Sequence, residues 1–166
     1  MKRVLLLALA LALLMTTALA ETSASYVFGG FELTAPEDVT VEEYESSRTV
    51  VREQTRVVVK AIPQELAEDG EKQVRELLTI YNEKTSDVTA VPLTSGLYGA
   101  MGLVENQFDE GIHEVIVLVL SDGELLILAG YNHDGDTLAV HELLAELLSD
   151  VTLAGESILP VVSTQE

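Results

Sequence analysis

The stretch from Glu114 to Tyr131 constrains the fold more than any other part of the chain. It reads Glu114-Val-Ile-Val-Leu-Val-Leu-Ser121, then Asp122-Gly123, then Glu124-Leu-Leu-Ile-Leu-Ala-Gly-Tyr131. Two β-rich runs joined by Asp-Gly predict a hairpin, because both turn positions accept positive φ. A strand with one wet face would alternate apolar and polar residues, whereas these are apolar at almost every position. The hairpin is therefore expected in the middle of a sheet covered on both faces, with helices on at least one of them.

Two amphipathic helices are available to cover it. Asp136 supplies an N-cap, and Val140, Leu143, Leu144, Leu147 and Val151 follow at spacings of three and four, which predicts a helix over 137–149. A second is expected over 71–84, with Val74, Leu77, Leu78 and Tyr81 on one stripe. Elsewhere the signal is extended. Residues 48–62 are rich in Val and Thr and favour one or two extended runs; on a single strand Val51, Thr55, Val57 and Val59 would face the core while Arg48, Arg52, Arg56 and Lys60 share the other face. Tyr26 to Leu33, with Gly29-Gly30 as a bulge or kink, reads as a further strand. Val88 to Leu93 reads as an edge or terminal strand because of Pro92. The fold class is α+β, a mostly antiparallel sheet with a central 114–131 hairpin in an α/β/α sandwich-like arrangement.

Ahead of these elements stands a different kind of segment. Met1-Lys2-Arg3 is a short basic start, Val4 to Leu14 is unbroken Val, Leu and Ala, and Ala18-Leu19-Ala20 is a small-x-small ending. This is the pattern of a secretory signal peptide cleaved after Ala20. An apolar run of 11 residues falls short of the roughly 20 that span a bilayer, so no stable membrane insertion is expected after cleavage. With no cysteine at the processing site there is nothing to lipidate. The expected organisation is 1–20 signal peptide, 21–27 lead, 28–154 a single globular domain and 155–166 a tail, which places the product outside the cytoplasm.

Cleavage would sharpen an already acidic charge. The 166-residue chain carries a formal charge of −19; without residues 1–20, 7 Lys plus Arg stand against 28 Asp plus Glu, a net of −21. Such a surface disfavours nucleic acid, whose phosphates it repels. The absence of cysteine removes disulfide scaffolds and Cys-ligated metal centres. The charge is also uneven, because no Lys or Arg follows Lys84 and residues 85–166 carry 14 acids. A basic protein or a cation is the partner chemistry this half would suit.

The stretch Phe31-Glu-Leu-Thr-Ala-Pro36-Glu-Asp-Val39-Thr-Val41 resembles the opening of the PsbP-like family, in which a short strand leads through a proline into an extended segment. The later order of helix, several antiparallel strands and a terminal amphipathic helix is also similar, over roughly residues 28–151. The resemblance implies an α/β/α sandwich acting as an extracytoplasmic accessory or binding protein, with no family catalytic residues to carry over.

The densest group of potential ligands is Asn132-His133-Asp134-Gly135-Asp136, with His141-Glu142 just beyond. Oxygens at Asn132, Asp134 and Asp136 match the start of a calcium loop, but an EF-hand needs Gly at the sixth position and Glu at the twelfth, where this chain has Thr137 and Leu143. Ca2+ is the one cofactor this segment suggests, and no other is expected. His141-Glu142 lacks the second histidine of HExxH, since position 145 is Ala. His133 or His141 beside Asp134, Asp136 or Glu142 could support acid–base chemistry; the simpler account is a polar loop that turns the chain and caps a helix. Around Ser95-Gly96 to Gly102, neither a P-loop nor a dinucleotide fingerprint is present, although Tyr98, Met101 and Leu103 could line a small apolar pocket.

The basic row Arg48, Arg52, Arg56 and Lys60 could form an anion or partner face, or pair with acids such as Glu42, Glu43 and Glu45. The reading these features support first is a secreted, non-enzymatic binding or accessory module. The alternatives are a small metal-dependent or acid–base hydrolase using the His133 to Glu142 region, and a divalent-cation-binding protein.

Overall fold

The computed structural model describes residues 24–81, 85–105 and 112–161. The signal-peptide segment lies outside the described residues. Eleven strands and two helices are described: β1 (Ser25–Phe28), β2 (Phe31–Thr34), β3 (Thr40–Glu43), β4 (Arg48–Arg52), β5 (Thr55–Gln64), α1 (Gly70–Tyr81), β6 (Thr85–Val91), β7 (Tyr98–Glu105), β8 (His113–Ser121), β9 (Gly123–Asn132), α2 (Thr137–Ser149), β10 (Val151–Leu153) and β11 (Glu156–Ser157). Neither helix is long and apolar enough to cross a membrane.

The hairpin expected at 114–131 forms as β8 and β9, with Ser121 opposite Glu124. Of its two turn residues only Gly123 takes a positive φ, +94°. The pair sits inside a seven-stranded antiparallel sheet of order β3-β4-β5-β9-β8-β7-β6. Ile116 to Leu120 are buried without a break because both faces are covered. Val117, Val119, Leu126 and Leu128 meet α2, while Ile116, Leu118, Leu125 and Ile127 meet Val74 and Leu78 of α1.

A glycine of the sheet sits beneath each helix. A Cβ on Gly130 would lie 2.8 Å from Val140 and 3.4 Å from Leu144 of α2, and one on Gly102 would lie 2.8 Å from Leu78 of α1. Neither position needs an unusual backbone; the missing side chain lets the helix settle against the strand.

Helix α2 spans the expected residues, capped by Asp136, whose Oδ1 accepts from the backbone N–H groups of Leu138 and Ala139. Val151, expected on its stripe, is instead the first residue of β10, where it is fully buried.

The β1-β2 hairpin is an outcome that differs from the expected single strand. Gly29, at φ +59°, and Gly30 form its turn, so the chain reverses there instead of bulging. Strand β2 pairs with β10, which pairs with β11, giving a second sheet of order β1-β2-β10-β11 beside α2. Phe28, Phe31, Leu33, Val151 and Ile158 join it to the α2 core. Residues 155–158, read from sequence as the start of a tail, are therefore part of the fold, and Ile158 is fully buried.

Candidate functional site

The basic row expected on one strand face is divided between the two faces of the sheet. Residues 48–62 form two strands, because Glu53 at φ +52° opens a tight turn that pairs Arg52 with Thr55. The alternation restarts after that turn. Arg48 and Arg52 flank buried Val50 and lie on the α2 face, whereas Arg56 and Lys60 lie on the opposite face, so the four do not form one basic surface. Thr49 and Val50, not Val51, are the buried residues of β4.

The three arginines of the row form ion pairs. Arg48 meets Glu43 at 3.4 Å and Arg56 meets Glu42 at 3.2 Å, two of the acids expected as partners. Arg52 bridges Asp38 at 2.6 Å and Glu146 of α2 at 2.7 Å, tying β4, the segment before β3 and the helix together. The Arg52 hydrogen bond holds the Asp38 carboxyl below the ordinary aspartate value. Its contribution to stability is complete above that ordinary value and lost as pH falls through the depressed one.

Nor do the residues of the 132–142 segment converge. Asn132 is buried: its Nδ2 donates to Thr55 Oγ1 at 2.8 Å, and its Oδ1 accepts from the backbone N–H of Asp134 at 2.8 Å and of Asp136 at 3.2 Å. Asp136 spends its carboxylate on the helix cap. His133, Asp134, Asp136, His141 and Glu142 are exposed, and His133 stands edge-on to Tyr131 with ring centroids 5.1 Å apart. His141 Nδ1 lies 2.7 Å from the carbonyl of Thr137. Among the described residues no three His, Cys, Asp or Glu side chains are grouped to hold a metal ion. Asn132 and Asp136 organise the loop and start the helix.

One carboxylate stands out by its surroundings. Glu114 lies on the α1 face opposite Tyr131, and burial pushes its carboxyl above the ordinary glutamate value. Where the folded value exceeds the unfolded one, folding is penalised once the group ionises. Glu114→Gln is therefore expected to raise the melting temperature near neutral pH. The gain should shrink as pH falls through the raised value, because the native carboxyl then takes up a proton and sheds the penalty. Thermal melts of both proteins across the acid range would check this; a constant difference would disprove it.

A concavity lies at the tip of the central hairpin, where four turns meet. It encloses about 410 Å³ between the β1-β2 turn, the 94–97 loop, the β8-β9 turn and the β10-β11 hairpin. Asp122, Glu124 and Glu156 line it with the hydroxyl-bearing Ser95 and Ser157, beside Leu97 and Leu153. Glu124 also fixes one wall, since its Oε2 accepts from the Gly30 N–H at 2.7 Å and its carboxylate occupies the space a Gly29 side chain would need. Local patterns give no sign of this hollow, because its acids are 34 residues apart and meet only when β10 joins β2.

The expected apolar pocket exists in part. Met101 and Leu103 line a smaller cavity on the α2 face, rimmed by His141, while Tyr98 turns to the α1 face and covers Gly70.

No family model matches the sequence, and no curated protein matches it. Solved structures do share its architecture. The solution structure of cyanobacterial PsbP (CyanoP) from Synechocystis is similar with a TM-score of 0.55 at 10% identity, over 82% of this chain and 96% of that one. A crystal structure from Bacteroides thetaiotaomicron is similar with a TM-score of 0.53 at 11% identity, over 80% of this chain; this chain spans 48% of that one. The fold is thus a PsbP-like α+β sandwich, as the opening segment and element order had implied.

Proposed function

We propose that this chain is an extracytoplasmic, non-enzymatic binding or accessory module that receives a basic side chain of a partner protein in the hollow at the hairpin tip. The observation carrying this reading is the 410 Å³ concavity lined by Asp122, Glu124 and Glu156. Apart from Gly30, its lining residues come from the half of the chain that supplies no Lys or Arg. Hydroxyl groups can hydrogen-bond an ammonium or guanidinium, and Leu97 and Leu153 can cover its aliphatic stem. The PsbP-like fold supports an accessory role, and the 1–20 segment supports export.

The reading is tested with a tetralysine peptide as probe. Asp122→Asn combined with Glu156→Gln is expected to weaken binding about tenfold, the scale of one lost charge-assisted contact. Glu37→Gln combined with Glu45→Gln removes the same charge from exposed positions away from the hollow and should change affinity far less. Equal weakening by both pairs would reduce the effect to general attraction and reject the site. Export is tested separately by N-terminal sequencing of secreted protein, with Glu21 as the expected first residue.

A further inference from the structure

We propose that the cavity between α2 and the β6-β7 edge binds a small molecule with an apolar body and a protonated amine. It encloses about 270 Å³. At about 30 Å³ for each water-sized group, it admits on the order of nine non-hydrogen atoms. Met101, Leu103 and Val115 give it an apolar wall, and Asp87, Thr89 and His141 bring polar groups to it.

Two local features determine what those polar groups accept. The first is a bulge in β6: three steps from Ser86 to Thr89 oppose two steps from Leu103 to Met101. Asp87 sits in that bulge at φ +51°, so its side chain leaves the regular ladder and joins the pocket lining. The second is the imidazole of His141. A carbonyl oxygen can only accept, so Nδ1, 2.7 Å from Thr137 O, carries the proton. In the neutral ring, Nε2 is then an acceptor with its orientation held by the helix.

The pocket thus combines a carboxylate, an imidazole acceptor and a threonine hydroxyl with an apolar wall. A ligand must bring hydrogen-bond donors to satisfy the first two, and a positive charge answers Asp87. An alkyl- or arylammonium ion meets these requirements, whereas a carboxylate of the same size would face Asp87 unpaired. This pocket shares no lining residue with the hairpin-tip hollow.

The test is an amide and methyl NMR titration of the protein with benzylamine, benzoate and benzyl alcohol. Benzylamine is expected to give saturable shifts centred on Met101, Leu103 and His141, with benzyl alcohol weaker and benzoate not saturating. Asp87→Asn should weaken benzylamine about tenfold. Asparagine tolerates the same left-handed backbone, so the bulge is retained. Glu45→Gln, an equal charge change outside the pocket, should leave the dissociation constant unchanged. Benzoate binding as tightly as benzylamine, equal weakening by the two variants, or no saturation with benzylamine would each overturn the proposal.

Discussion

Leu128→Ala is expected to lower the free energy of unfolding by about 2–5 kcal/mol, the range for truncating a buried leucine where neighbours cannot close the gap. Leu128 is fully buried in β9, with Val59 of β5 and Val117 of β8 as its cross-strand partners. Both partners belong to the same cluster, which α2 completes with Val140, Leu143, Leu144 and Leu147. Its neighbours are thus held by ladders on two sides and by a helix above, so little relaxation is available. Urea unfolding followed by circular dichroism would measure the change; a midpoint within error of the parent would refute this account of the core.

Gly130→Val tests the other side of the same contact, by adding volume. The new Cβ would meet Val140 Cγ1 at 2.8 Å, Val57 Cγ2 at 3.2 Å and Leu144 Cδ1 at 3.4 Å, before the two methyl groups are counted. Helix α2 must then lift from the sheet or its side chains leave their rotamers, at a cost of about 1–3 kcal/mol. Gly130→Ala should fall between the parent and the valine variant. Strand propensity alone would make valine favourable here, so a stabilised valine variant would show that the helix approach is looser than described.

What could be read from the sequence was whatever local periodicity determines. The unbroken apolar run identified the central hairpin, and Asp136 with the leucine spacing located α2, because cap and stripe lie within one helix length. Failures arose where a single backbone conformation changes phase. Glu53 carries no turn signature, yet its left-handed φ splits a valine-rich run into two strands and sends the arginines to different faces. Gly29-Gly30 marks a break in the strand, but a bulge, a kink and a reversal use the same residues. Site residues followed the same division. Met101 and Leu103 belong to the expected apolar pocket and His141 to the polar segment, while their meeting across the α2 face depends on tertiary packing. The hairpin-tip hollow draws on four turns distant in the chain, so no window of sequence contains it.

The order of strands in the large sheet has a consequence for how the chain acquires its structure. Strand β5 ends at Gln64, and its inner neighbour β9 begins only at Gly123, so the sheet's middle is a pairing between residues far apart in the chain. The second sheet repeats the situation at greater range, with Phe31 opposite Leu153. Closing such long loops costs entropy before any contact repays it, which puts this topology among the slower folders, in milliseconds to seconds. Residues 40–64 can form the β3-β4-β5 meander early, but that meander ends in an open strand until the later hairpin arrives. Refolding of the intact chain should therefore lag behind formation of that hairpin.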